Sequence, residues 1–276
     1  MQVSIPWSHV YNILEWRNMD GAKAKVKWAE KRIKELDSAI DSFLNPVGRL
    51  KPYSIGIKRD SQTGEIIYHL ASREIVPNEI VLLAGDVLQN LRSALDYAVC
   101  SLTVANGKSI SSQTGFPIFD HAPTSPEDQS LLTRKIGGAG KEAIDYILQT
   151  KPYKGGNQAL WRLQALNIRD KHRLLLTAGV ALGDFNVGQH LRATRLARGF
   201  VSDYWITVGQ PWILRNVGET FLIDTSHVKE NDNVQFKFDV AFDELGVAEG
   251  EPIKIELGKA LNWVTGIVLD LGNFLP

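Results

Sequence analysis

Residues 77–104 constrain this chain most. Ile80, Ala84, Val87, Leu91, Ala94, Leu95, Ala98 and Leu102 recur at intervals of three and four, which puts them along one face of a helix. Pro77-Asn78-Glu79 supplies helix-start chemistry and Asn106-Gly107 helix-stop chemistry. A neighbouring strip carries Asp86, Asn90, Ser93, Tyr97 and Cys100 at spacings of four, three, four and three. Arg92 and Asp96, four apart, can pair along the surface, although acid-first is the favoured order. Polar groups beside a core cost free energy unless they are hydrogen-bonded, so this row predicts partners elsewhere in the chain or a ligand.

Other helices have the same period. In Ala22–Leu44 the residues Val26, Ala29, Ile33, Leu36, Ile40 and Phe43 form a seam, and Lys23, Lys25, Lys27, Lys31, Arg32 and Lys34 crowd the first half. Mixed with Glu30, Glu35 and Asp37, these cations read as a solvated face with i,i+4 pairing. Further helices are expected at Lys141–Gln149 and Gln158–Leu176, separated by the breaker Lys151–Gly156, and at Gly258–Leu271. Residues 107–137, with Pro117, Pro123, Pro126 and Gly137-Gly138, read as a loop with one apolar anchor, Phe116-Pro-Ile-Phe119.

Strand signals fall in two places. Tyr53–Arg59 and Glu65–Ala71, joined by the turn Ser61-Gln-Thr-Gly64, predict a hairpin. After Gly179, Tyr204–Val208, Thr220–Ile223 and Val234–Val240 predict an antiparallel sheet. The expected class is α+β: a helical bundle with an inserted β-hairpin, then an antiparallel sheet and a C-terminal helix. The division expected is 1–178, helical with a hairpin at about 53–71, and 179–276, the β part with its closing helix, in one compact unit.

Composition narrows the classes. The 276 residues can bury a sizeable core, and a single cysteine, Cys100, excludes an internal disulfide and zinc-ribbon chemistry. The N-terminus lacks a signal-peptide pattern, and no apolar run approaches the roughly 18 residues of a spanning helix. A cytoplasmic protein without membrane contact is expected. The formal charge is zero, yet residues 1–215 hold 27 Lys and Arg against 20 Asp and Glu, and residues 216–276 hold 4 against 11. Either the basic part meets a phosphate backbone, or the two parts complement each other across an internal or homo-oligomer contact.

The expected partner of the polar row is the helix starting at Gln158. There Asn167 and Asp170 share a strip with Leu160, Leu163 and Leu174, and Arg169 and His172 share another. With antiparallel packing, Asp86, Asn90, Arg92 and Asp96 meet Asn167, Arg169, Asp170 and His172 in one cluster. Such a cluster either fixes helix register without a ligand, or binds or cleaves something anionic. In the second case Arg92 and Arg169 hold phosphate oxygens and His172 transfers protons.

The run Gly85-Asp86-Val-Leu-Gln-Asn90-Leu-Arg92-Ser-Ala-Leu-Asp96-Tyr97 and the run Leu166-Asn167-Ile-Arg169-Asp170-Lys171-His172-Arg173 resemble two blocks of a group of uncharacterised bacterial proteins. More distantly, Arg92 followed by Tyr97 resembles the Arg-x4–6-His signature of HEPN proteins, helical-bundle nucleases and nucleotide-binding modules of toxin and phage-defence systems. That resemblance implies metal-independent RNA cleavage, or RNA or nucleotide binding, with Arg92 and His172 catalytic. Asp86, Asn90, Asp96, Tyr97, Asn167, Arg169 and Asp170 would bind substrate, and neither cofactor nor metal is implied. Tyr97 stands where the signature carries histidine, and a phenol titrating near about 10 is a poor base at neutral pH.

Other motifs carry less. Gly137-Gly-Ala-Gly140 has glycines but no preceding strand, so a phosphate cradle is not read there. Asp170 and His172 fall roughly 200° apart on a helix, unlike a bundle metal motif. His9, His69, His121, His190 and His227 lack paired ligand spacing. Arg192, Arg195 and Arg198 would share one basic edge if helical. Two functions from different classes remain: nucleic-acid or nucleotide chemistry at the cluster, or a non-catalytic interaction protein whose cluster only fixes packing.

Overall fold

A computed structural model of the chain describes residues 18–59, 61–62, 66–186, 205–221 and 234–275. His9, His190, His227, Arg192, Arg195 and Arg198, and the ends of some expected strands, lie outside the described residues. The elements run α1 (Asp20–Leu44), β1 (Tyr53–Arg59), β2 (Ile66–Arg73), α2 (Asn78–Ala105), α3 (Pro126–Ile136), α4 (Lys141–Gln149) and α5 (Gln158–His172). They continue with β3 (Thr177–Asn186), β4 (Trp205–Leu214), β5 (Thr220–Phe221), β6 (Val234–Phe242) and α6 (Ile253–Gly272). The class is α+β, as the two hydrophobic periods predict.

The chain divides into two units that interleave along the sequence and do not part at residue 178. One takes in the chain up to Glu35, Leu83–Leu174 and the part from Lys254; the other takes in Leu36–Leu82 and Leu175–Ile253. The reason is strand pairing. In β2, Tyr68 lies opposite Phe221 and His69 opposite Thr220 of β5, so the early hairpin joins the late strands.

The helical unit holds most of α1 and α2, together with α3 to α6. Val87, Leu88, Leu91, Leu95, Ala98 and Leu102 of α2 are buried, as are Leu160, Leu163 and Leu166 of α5 and Val264, Ile267, Val268 and Leu271 of α6. The stripes read from the sequence are thus the core faces.

Two expected boundaries move. Residues 107–137 contain α3, because Ser125 caps it: its hydroxyl accepts from Asp128 N, and the Asp128 carboxylate accepts from Ser125 N. Pro126, read as a breaker, sits in the first turn, where its missing N–H has no intrahelical role. The helix expected through Leu176 stops at His172, since Arg173 is extended and the chain enters β3 four residues later.

In the other unit, two three-stranded antiparallel sheets are ordered β1-β2-β5 and β4-β3-β6. Tyr53 and Tyr68 are fully buried and meet Phe238 and Phe236 at ring separations of 5.7 Å and 5.4 Å. Gly179 is required there, since a Cβ would come within 2.3 Å of the Tyr53 ring. In β4, Pro211 falls between the paired residues Val208 and Trp212, at an irregularity opposite Leu182, where no ladder N–H is needed.

Candidate functional site

Helices α2 and α5 run antiparallel. The Asp170 carboxylate lies over Gly85, where a Cβ would come within 2.5 Å of it, and Arg92 Nε donates to Gln164 Oε1 at 2.5 Å. Moving from residue 85 to 92 along α2 therefore moves from 170 back to 164 along α5. His172 lies eight residues past Gln164, about 12 Å further along the helix axis at 1.5 Å per residue.

The polar row does not form one cluster. Asp86 and Asn90 turn to α1: Arg32 Nε stands 2.7 Å from Asp86 Oδ2, and Lys25 Nζ donates to Asn90 Oδ1 at 3.0 Å. Asn90 Nδ2 donates back to the Asp86 carbonyl and carboxylate, both at 2.7 Å. Lys25 also stands 6.0 Å from the centre of the Tyr97 ring, and Gly21 closes on that ring from α1. Lys25 and Arg32, two helical turns apart, thus match Asp86 and Asn90, one turn apart. Reading the α1 cations as a solvated face missed this seam.

Arg92 turns the other way and is 9% exposed. Besides Gln164 it donates from Nη1 to Asp96 Oδ1 at 2.6 Å and from Nη2 to the Phe116 carbonyl at 2.9 Å. Asp96 Oδ1 also accepts from Phe116 N at 2.8 Å, and Gly115 approaches so closely that a Cβ would overlap that oxygen. The apolar anchor 116–119 therefore docks through its backbone on an Arg–Asp pair. Trp161 Nε1 of α5 holds the same loop by donating to Asp120 Oδ1 at 2.9 Å.

The α5 residues play separate parts. Asn167 is 2% exposed and its Oδ1 finds no donor among the described residues. Burial raises the Asp170 carboxyl above the ordinary range. Arg169 is half-buried and already engaged within the chain, and His172 is exposed. The structure thus groups Arg92 with Asp96, and Asp86 with Asn90, and sets His172 about 12 Å along the helix axis from the level of Arg92. The partners absent from the sequence reading are Lys25, Arg32, Gln164 and the Phe116 backbone.

Two further positions set the local chemistry. Burial, followed by the nearby Asp96 charge, pushes the Cys100 thiol up to about 11, so it stays protonated at neutral pH. His121 stands 3.2 Å from Asp128, whose carboxyl is held below the usual range chiefly by the Ser125 N–H. Among the described residues no group of three or more His, Cys, Asp or Glu side chains is placed to hold a metal ion, and no helix is long and apolar enough to cross a membrane. No protein family, curated protein or solved structure matches the chain.

Proposed function

We propose that this chain is a non-catalytic interaction protein in which the polar row of α2 fixes how α1, α2, α5 and the 115–119 loop pack. One observation carries this reading: Arg92 spends Nε, Nη1 and Nη2 on three internal acceptors while almost fully buried. A guanidinium that clamps a phosphate needs a bidentate edge open to the ligand. A buried charge held by three internal acceptors instead specifies register, because an alternative packing would take those acceptors away.

The separation of His172 from Arg92 supports the same reading. Proton transfer requires hydrogen-bond reach of the reacting group, about 3 Å or one intervening water. An acid–base residue about 12 Å along the axis from the level of Arg92 does not share a scissile bond with it.

The test is RNA binding and cleavage by the wild type, Arg92→Ala and His172→Ala, with folding followed in each. The expected result is no cleavage by any of them, a loss of stability for Arg92→Ala and none for His172→Ala. Cleavage by the wild type that both variants lose while still folded would establish the HEPN-type reading instead.

A further inference from the structure

Residues of the segment 108–138, with Thr103, line a cavity of about 320 Å³ in the helical unit. Its wall carries Lys108, Arg134 and Lys135 together with the hydroxyls of Ser109, Ser111 and Thr114. No Asp or Glu lines it, and three cationic residues do, Arg134 with its Nη1 also donating to Ser130 Oγ at 2.8 Å. Elsewhere in the same unit Lys31, Arg32 and Lys259 pair with acids.

Lys135 is the informative member. It is half-buried, and among the described residues it makes no ion pair. Burial and then the neighbouring Arg92 guanidinium push its ammonium down, against the pull of Asp96. Asp96 is already held by Arg92 and Phe116 N, at 2.6 Å and 2.8 Å. A desolvated ammonium beside a second cation is costly unless an anion joins it.

The wall is also shaped. Ser111 N donates to Thr114 Oγ1 at 2.9 Å, Gln113 N to Ser111 Oγ at 3.2 Å and Thr114 N to Ser111 O at 3.1 Å, which folds the hydroxyl-rich run 109–114 into a turn. Thr103 and Thr133 line the cavity too, but their hydroxyls donate to the Val99 and Gln129 carbonyls of their own helices. Gly138 adds a backbone N–H that finds no acceptor among the described residues.

We propose that this cavity binds the phosphate group of a small phosphorylated ligand. A carboxylate would bring one charge and two oxygens to three cations. A phosphate monoester brings about −1.5 to −2 charges and three acceptor oxygens, which suits donors on separate chain segments. No aromatic side chain lines the cavity, so the phosphate and not a base is recognised. The site is independent of the role of Arg92 proposed above, and its test does not depend on RNA cleavage.

The experiment titrates the full chain with inorganic phosphate, with adenosine 5′-monophosphate and with adenosine, at constant ionic strength, by calorimetry and by thermal midpoint. Both phosphates bind and raise the midpoint, and adenosine does neither. Tighter binding of the monophosphate identifies an ester as the ligand, whereas equal binding identifies free phosphate. Arg134→Gln and Lys135→Gln each weaken binding on the order of tenfold, the loss of one charge-assisted hydrogen bond. Arg134 is exposed, so its variant carries the expectation alone if Lys135→Gln does not fold. No binding by either phosphate, adenosine binding as well as its monophosphate, or unchanged affinity in the folded variants, overturns the proposal.

Discussion

Truncating Arg92 to alanine removes three hydrogen bonds from one charged group: to Gln164 at 2.5 Å, to Asp96 at 2.6 Å and to the Phe116 carbonyl at 2.9 Å. Hydrogen bonds to charged groups contribute about 1.5–3 kcal/mol each, so the gross loss exceeds about 4 kcal/mol. Part returns because Asp96 is partly exposed and can take up water, and because burying the guanidinium was itself costly. The net expectation is about 3–5 kcal/mol, the usual range for breaking a buried ion pair from one side. Arg92→Lys keeps the charge but lacks the fork that reaches three acceptors, so an intermediate loss is expected. Urea unfolding followed by circular dichroism measures both, and hydrogen exchange at Phe116 N reports whether the loop has let go of Asp96. A loss below about 1 kcal/mol for Arg92→Ala, with Phe116 N still protected, would refute the reasoning.

Three other changes test separate parts of the structure. Gly179→Ala drives a methyl against the buried Tyr53 ring and is expected to cost about 1–3 kcal/mol in the same unfolding measurement. Ser125→Ala removes the α3 cap and is expected to cost about 1 kcal/mol, with exchange rising first at Asp128 N. Asp170 has its folded pKa raised by burial, so its contribution to stability is fully present below the ordinary carboxylate value and is lost as pH rises through the folded value. Asp170→Asn is therefore expected to raise stability at neutral pH and to flatten the stability curve across that acidic window.

How much of this the sequence carried depends on the range of the interaction. The helix stripes were legible because periodicity is local: Val87, Leu91, Ala98 and Leu102 could be assigned to a core without knowing what covers them. Helix α3 was also written locally, in Ser125-Pro-Glu-Asp128, but Pro117, Pro123 and Pro126 with Gly137-Gly138 favour a loop. The antiparallel α2–α5 pairing was anticipated as a condition and the Arg92–Asp96 pair from its spacing, yet the other two partners of Arg92 were not. Phe116 contributes its carbonyl, a group that every residue carries, and Gln164 is uncharged, so neither marks itself in sequence. Arg32 and Lys25 stand among six basic residues of the early α1, and only the fold selects which two meet Asp86 and Asn90. The interleaving of the two units was illegible for a similar reason. It rests on the pairing of Tyr68–His69 with Thr220–Phe221 and on the packing of Tyr53 against Phe238 and Gly179, contacts between residues far apart along the chain.

The packing role of Arg92 is tested most directly by a double-mutant cycle across the helix pair, with Arg92→Ala, Gln164→Ala and the double variant unfolded in urea. A register-fixing network predicts a coupling energy of about 0.5–3 kcal/mol between the two positions. Losses that add to within about 0.5 kcal/mol would show that Arg92 and Gln164 act independently and would contradict the network.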